Sequence, residues 1–184
     1  MGLNEKALKE MIRLNLDSGS LYFKSVRVWL TRPEMIAFIH KWIRRIAGEA
    51  LLEAIYEAGK ECGRKDFTIL EEIMGTPRDV KEMMKDVSPF YTIMGWGKMS
   101  VEKVEEGEVT FYVENSPIAE NLKGSEEPVC MYLSGYGAGL LSQATGEEWN
   151  GVEVECAATG KYPRCKFLLS RKNRKDLILE VYGT

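Results

Sequence analysis

The chain has 184 residues, 45% of them apolar, with a net charge of −3 and a pI near 5.5. That length and composition suit one sizeable core, hence a single domain over residues 1–184, and the acidic balance gives no reason to expect direct contact with nucleic acid. No run of about 18 apolar residues exists to span a membrane, and the charged N-terminus lacks a signal-peptide core, which predicts a cytoplasmic protein.

Residues 4–16 place Leu8, Met11, Ile12 and Leu16 at helical spacing, and residues 22–30 alternate in the manner of a strand. Thr31-Arg32-Pro33-Glu34 reads as a capping box that opens one long helix from Pro33 to about Cys62, interrupted at Gly48 and ended by Gly59 and Gly63. Its apolar stripe runs through Met35, Phe38, Ile39, Trp42, Ile46, Ala50 and Ile55. Thr76-Pro77 starts a second helix with Val80, Met83, Met84 and Val87 inward. Beyond Pro89 the pattern predicts strands over 91–104 and 108–114, turning at Glu105-Glu106-Gly107. Pro128 opens a Gly-rich helix over 130–144, and strands follow at 152–157 and 166–170. A short segment, DLILEVY, closes the chain, and the basic run 171–175 reads as a solvated turn or helix start. Helices first and mostly antiparallel strands later predict an α+β fold, with N-terminal helices packed on the sheet.

Cys130, Glu153, Cys156 and Cys165 are the candidate metal ligands. Three thiols and a carboxylate suit a divalent ion, most naturally zinc, and Thr159-Gly160 and Tyr162-Pro163 are turn pairs that fold Cys165 back toward Cys156. The competing reading takes the cysteines as small core residues. Four protein ligands would leave no open position, so such a metal is structural. Lys161, Arg164 and Lys166 flank Cys165 and are candidates to offset the site's negative charge. Cys62 reads as a partly buried ordinary thiol. Gly135, Gly137 and Gly139 lie inside a helical segment with the wrong spacing for a dinucleotide fingerprint, and close helix packing accounts for them better. His40, the sole histidine, lies among the apolar helix residues Phe38, Ile39 and Trp42, with no Ser-x-Gly elbow or Cys–His pair around it.

The stretch from Cys130 to Phe167 resembles the 4-vinyl reductase domain family, which includes the aromatic-sensing domains of phenol- and xylene-responsive transcription activators and stand-alone archaeal proteins described as hydrocarbon-binding. The shared pattern is Cys130 ahead of Gly135 and Gly139, Glu153 with Cys156, then Gly160, Pro163, Cys165 and Phe167. The resemblance implies zinc on Cys130, Glu153, Cys156 and Cys165, and a fold like that of the small TRAPP vesicle-tethering subunits. It also implies a ligand pocket in the region where Met84, Tyr91, Trp96, Val109 and Phe111 fall, and pairing as a homodimer through residues 1–31. Aromatic and Met side chains make a deformable apolar cavity for flat ligands. The histidine that contacts phenol in those sensors has no counterpart here, which argues against phenol itself.

These observations predict a zinc-stapled, non-catalytic sensor module for a small apolar or aromatic ligand, stapled through residues 128–170. The chain carries neither ATPase nor helix-turn-helix, so signalling would pass to a separate partner protein. The rival expectation is a homodimeric scaffold of TRAPP-subunit-like fold. An accessory role in vinyl reduction is weaker, because no nicotinamide or flavin fingerprint is present.

Overall fold

The computed structural model describes residues 10–48, 52–77 and 79–183. Strands β1 (Ile12–Asn15), β2 (Ser20–Phe23) and β3 (Val26–Val28) form a small antiparallel meander. Ile12–Asn15 is therefore a strand where helical spacing predicts a helix, residues 10–11 are helical, and residues 4–9 lie outside the described residues. The override is local: Asn15 Oδ1 accepts from Ser18 N and Gly19 turns at φ 59°, which folds β1 onto β2. Lys24, at φ 55°, likewise splits the strand expected over 22–30 into a hairpin.

Helices α1 (Glu34–Ala47) and α2 (Leu52–Met74) replace the single helix predicted from Pro33 to Cys62. Gly48, at φ 66°, ends the first. The capping box does not form: Pro33 occupies the N-cap without a side-chain bond, and Glu34 pairs instead with Arg32. The second helix runs straight through Gly59 and Gly63, because these glycines face helix α5 (Met131–Thr145) at backbone-to-backbone distance. A Cβ at Gly59 would collide with the Tyr132 carbonyl, and one at Gly63 with that of Tyr136. Gly135 and Gly139 of α5 reciprocate against the carbonyls of Tyr56 and Lys60. The close-packing account of the Gly-rich segment holds, and it extends to a matched pair of glycines on the partner helix. His40 of α1 is buried.

Helix α3 (Val80–Ile93) is capped by Asp79, whose side chain accepts from Glu82 N at 2.7 Å. It contains Pro89 and continues past it, so Tyr91 is helical and not the start of a strand. Burial explains the override: Met83, Met84, Val87, Phe90 and Tyr91 recur at three- and four-residue intervals and are all buried. Ser88 Oγ also donates to the Met99 carbonyl at 2.7 Å, tying the helix to the next strand. Gly95 and Gly97, at φ 80° and 107°, make the turn around Trp96.

The main sheet has order β4-β5-β7-β6 and is antiparallel throughout, built from β4 (Lys98–Glu105), β5 (Glu108–Glu114), β6 (Asn150–Glu155) and β7 (Cys165–Ser170). A short helix not evident in the sequence, α4 (Pro117–Asn121), follows β5, and α6 (Arg174–Tyr182) follows β7. The core lies between the sheet and α2, α3 and α5, and takes in Phe67, Met83, Tyr91, Phe111, Leu133, Tyr136 and Phe167. Mixed helices on an antiparallel sheet match the expected α+β class. Among the described residues, no helix is long and apolar enough to cross a membrane.

Candidate metal centre and apolar site

Four elements deliver the cluster. Cys130 caps α5, Glu153 lies on β6, Cys156 follows the end of that strand, and Cys165 begins β7. Between the last two, a 3-10 turn (Ala157–Thr159) ends at Gly160 with φ 72° and reverses the chain. One ligand atom from each of the four residues lies within 4.8 Å of the others, and all four residues are buried. Cys130 Sγ stands 3.8 Å from Cys165 Sγ.

The hydrogen bonds around the cluster leave one conspicuous gap. Glu153 Oε2 accepts from Cys130 N at 2.6 Å, while Oε1 is buried with no partner. A buried carboxylate oxygen left unpaired is costly, and a cation shared with the three sulfurs would satisfy it. Burial, then the charge of Cys156, pushes the Glu153 carboxyl well above its usual range. Burial likewise raises the Cys130 thiol, with Cys156 and Cys165 adding to the shift. For Cys165, the Cys130 thiol pulls downward, but Cys156 and burial outweigh it and the shift is upward. Cys156 goes the other way, its thiolate favoured by the Cys130 and Cys165 thiols and by Val129 N–H. Four such groups converging in one dry place can hold a divalent metal.

Two of the three flanking cations are engaged away from the cluster. Arg164 lies 3.4 Å over the Tyr112 ring, and Lys166 pairs with Glu102 at 3.0 Å. Strand alternation turns Lys166 away from the face that buries Cys165. Backbone N–H groups take that role instead, with Ala157 N donating to Cys165 Sγ at 3.4 Å. The strand bearing Glu153 is gripped by α6: the Tyr182 hydroxyl donates to the Glu153 carbonyl and Arg174 donates to that of Gly151. Cys62 is exposed rather than partly buried and stands apart from the cluster.

The residues proposed to line a ligand site converge on the same core. Met84, Tyr91, Val109 and Phe111 are buried, and Phe111 stacks on Phe167 with centroids 4.9 Å apart. Trp96 is half-buried and stacks on Tyr132 at 5.4 Å, which in turn stacks on Tyr136. Tyr91 meets Tyr136 edge-on at 6.0 Å. Its hydroxyl is buried without a hydrogen-bond partner, although the residue is only 1% exposed. Burial, then the charge of nearby Cys130, pushes this phenol well above its ordinary value, so it stays protonated and able to donate. Sequence reasoning selected Tyr91 as an apolar ring. The orphaned hydroxyl has no sequence signal, because only the surrounding packing denies it a partner.

The 4-vinyl reductase domain model matches residues 109–171, a stretch that holds all four cluster residues together with Val109 and Phe111. Among solved structures, the phenol-responsive sensory domain of the transcription activator PoxR, with phenol, is similar at TM-score 0.80 and 19% identity, covering 96% of this chain and 94% of that one. A vinyl-4-reductase family protein from Methanocaldococcus jannaschii is similar at TM-score 0.51 and 19% identity, over 92% and 89% of the two chains. A trafficking protein particle complex subunit 3 from Naegleria fowleri, covalently bound to palmitic acid, aligns at TM-score 0.56 and 13% identity over 77% and 96%. No curated protein matches by sequence. The domain match bears out the resemblance read between Cys130 and Phe167, and the structural likenesses bear out the α+β, TRAPP-subunit-like fold.

Proposed function

We propose that this chain, carrying a 4-vinyl reductase domain match over residues 109–171, is a binding module for a small, mostly apolar molecule, stapled by zinc and without catalytic activity of its own. The observation that carries the ligand reading is the buried, unpartnered hydroxyl of Tyr91, whose ring meets Tyr136 edge-on. An orphaned donor in a dry aromatic setting costs about 1–3 kcal/mol, and a ligand oxygen would recover that cost. The ligand is then an apolar, aromatic-sized body with one acceptor group, held by ring contacts and a single hydrogen bond. Met84, Val109 and Phe111 supply apolar surface in the same core.

Zinc fits the donor set. Two thiolates about 2.3 Å from one tetrahedral ion stand about 3.8 Å apart, which is the Cys130–Cys165 spacing. Cys130, Cys156, Cys165 and Glu153 Oε1 would complete the coordination, and the ion would supply no chemistry beyond cross-linking α5 to the β6–β7 hairpin. The cytoplasm, which keeps thiols reduced, suits such a site.

The whole of residues 1–184 is proposed to act as one domain that pairs as a homodimer through its N-terminal part. Exposed apolar side chains there support this: Leu14 is 61% and Trp29 73% exposed, and Val26 is also exposed. The same surface favours a second reading, a dimeric scaffold, if no ligand is found. In either case a separate partner protein would receive the signal.

Native mass spectrometry of freshly purified protein tests these statements together. The expected species is a dimer of the 20.9 kDa chain with one zinc per protomer and a small organic molecule released on activation. Metal-free protein overturns the staple, a monomer overturns the pairing, and zinc-loaded dimer that never binds an apolar compound leaves the scaffold.

A further inference from the structure

The apolar stripe of α1 is turned away from the protein. Met35, Phe38, Ile39, Trp42 and Ile46 fall within an arc of about 100° on one side of the helix. Phe38 is 60% and Ile46 79% exposed, and Ile39 and Trp42 are exposed as well. The opposite side carries buried Ala37 and His40 and half-buried Ile36 and Ile43, and α1 rests on α4 and α2. A helix of a folded domain normally turns its main apolar stripe to the core, so this orientation calls for a cover.

The same region is basic. Between residues 12 and 46, seven lysines and arginines stand against two carboxylates, in a chain whose net charge is −3. Ten of the fourteen large apolar side chains exposed among the described residues lie in that span. On α1, exposed Lys41 and Arg45 border the stripe on one side, and no charged residue interrupts it. Glu34 shares that border and is offset by its pair with Arg32. Arg44 is paired with Glu127 at 2.8 Å, so it adds little to the border. The Arg45 guanidinium stands 5.2 Å over the Trp42 ring, which puts the cation and the aromatic plane at the same level.

Size and charge decide what covers this face. With 14 residues, α1 is about 21 Å long and about 10 Å wide, so its outer face spans roughly 200 Å². A stable protein interface takes about 800 Å² from each partner, and the pairing through residues 1–31 leaves α1 out. The helix also falls well short of the ~30 Å needed to cross a bilayer. Lying in the plane of a membrane surface asks for less. It needs an apolar stripe that sinks about 5–10 Å, basic side chains at headgroup level and an aromatic ring at the boundary. α1 offers all three, and an anionic surface complements the basic stretch around it.

We propose that the outer face of α1 docks this protein on an anionic lipid surface, with Phe38, Ile39, Trp42 and Ile46 sunk below the headgroups and Lys41 and Arg45 among their charges. This goes beyond the ligand reading and does not rest on it, since neither Tyr91 nor the metal cluster takes part.

The test is co-sedimentation of the purified chain with two kinds of vesicle, phosphatidylcholine alone and phosphatidylcholine with phosphatidylserine at about 7:3. Binding to the mixed vesicles should be stronger by roughly tenfold or more, and added salt should weaken it. Lys41→Glu/Arg45→Glu should lower that binding by roughly tenfold, and Phe38→Ser/Trp42→Ser should abolish it. All four side chains are exposed, so both variants should keep the parent's circular dichroism and Tm; should one lose its fold, the other carries the test. Equal binding to the two kinds of vesicle overturns the charge selection and the proposal. Unchanged binding in either folded variant overturns the placement on α1. Absence of binding to the mixed vesicles overturns the proposal outright, and if Phe38→Ser/Trp42→Ser then turns a dimer into monomers, a second copy of the chain is the cover.

Discussion

Gly139→Ala is the sharpest probe of the helix pair on which the metal-bearing half is mounted. In a free helix this change is favourable by about 1 kcal/mol, since alanine loses less backbone entropy than glycine. Here the new Cβ would collide with the Lys60 carbonyl oxygen and lie 2.8 Å from its carbon and 3.0 Å from Arg64 N. All of these are backbone atoms of α2, so no side chain can rotate away. The helices would have to part by about 1.5 Å to restore contacts near ~3.5 Å, loosening the reciprocal glycine contacts along the pair. Overpacking of this kind costs about 1–3 kcal/mol or more, and the rigid neighbours put it at the upper end. The net expectation is a loss of about 2 kcal/mol, or roughly 4–8 °C in Tm for a chain of this size. Urea and thermal denaturation by circular dichroism would measure it. Gly137→Ala is the control: its Cβ would meet only side chains, Leu169 at 3.1 Å and Phe111 at 3.6 Å, and the cost should be smaller. A Gly139→Ala protein as stable as its parent would refute the close-contact account.

Three further outcomes follow from the site. Cys156→Ser should remove most of the bound metal and cost about 3 kcal/mol or more of stability, because metal-binding free energy is folding free energy; unchanged Tm would show the cluster is not a staple. Trp96→Ala should weaken an apolar ligand by about 1–3 kcal/mol while the metal content stays at one per chain, read by calorimetry and elemental analysis. The third concerns pH. Without metal, Glu153 and the Cys130 and Cys165 thiols have raised folded values, so they favour the fold while protonated and oppose it as pH rises through those values. Metal needs the deprotonated ligands, so its affinity should increase with pH and its uptake release protons. The Tm difference between metal-loaded and metal-free protein should therefore widen from pH 5 to pH 8, and a gap that narrows would contradict the assignment.

The cluster was legible because its spacing and turn chemistry are local: Gly160 reverses the chain within nine residues, and Glu153 and Cys156 share one strand end. Strands β5, β6 and β7 and helix α5 were legible for the same reason, their apolar periods agreeing with their tertiary faces. The errors lie where a local signal and burial disagree. Pro89 reads as a helix stop, yet the buried face of α3 carries the helix through to Ile93. Gly59 and Gly63 read as helix ends until their partners Gly135 and Gly139 are placed opposite them. In β1 the turn at Asn15–Gly19 outweighs a helical spacing of apolar residues. The orphaned Tyr91 hydroxyl lies beyond any sequence pattern, since it depends on what three other elements fail to offer.

Tyr91→Phe tests the central claim most directly, because it removes one oxygen and keeps the ring. With the hydroxyl unpartnered in the ligand-free protein, its loss should raise Tm, worth about 1 kcal/mol of relieved desolvation. The same change should weaken binding of an apolar alcohol by about 1–2 kcal/mol, measured by titration calorimetry, with zinc content unaltered. Stabilised ligand-free protein with weakened ligand is the signature of a donor held in reserve for a ligand. A Tyr91→Phe protein that binds the alcohol as tightly as its parent, or that is less stable without it, would contradict the account.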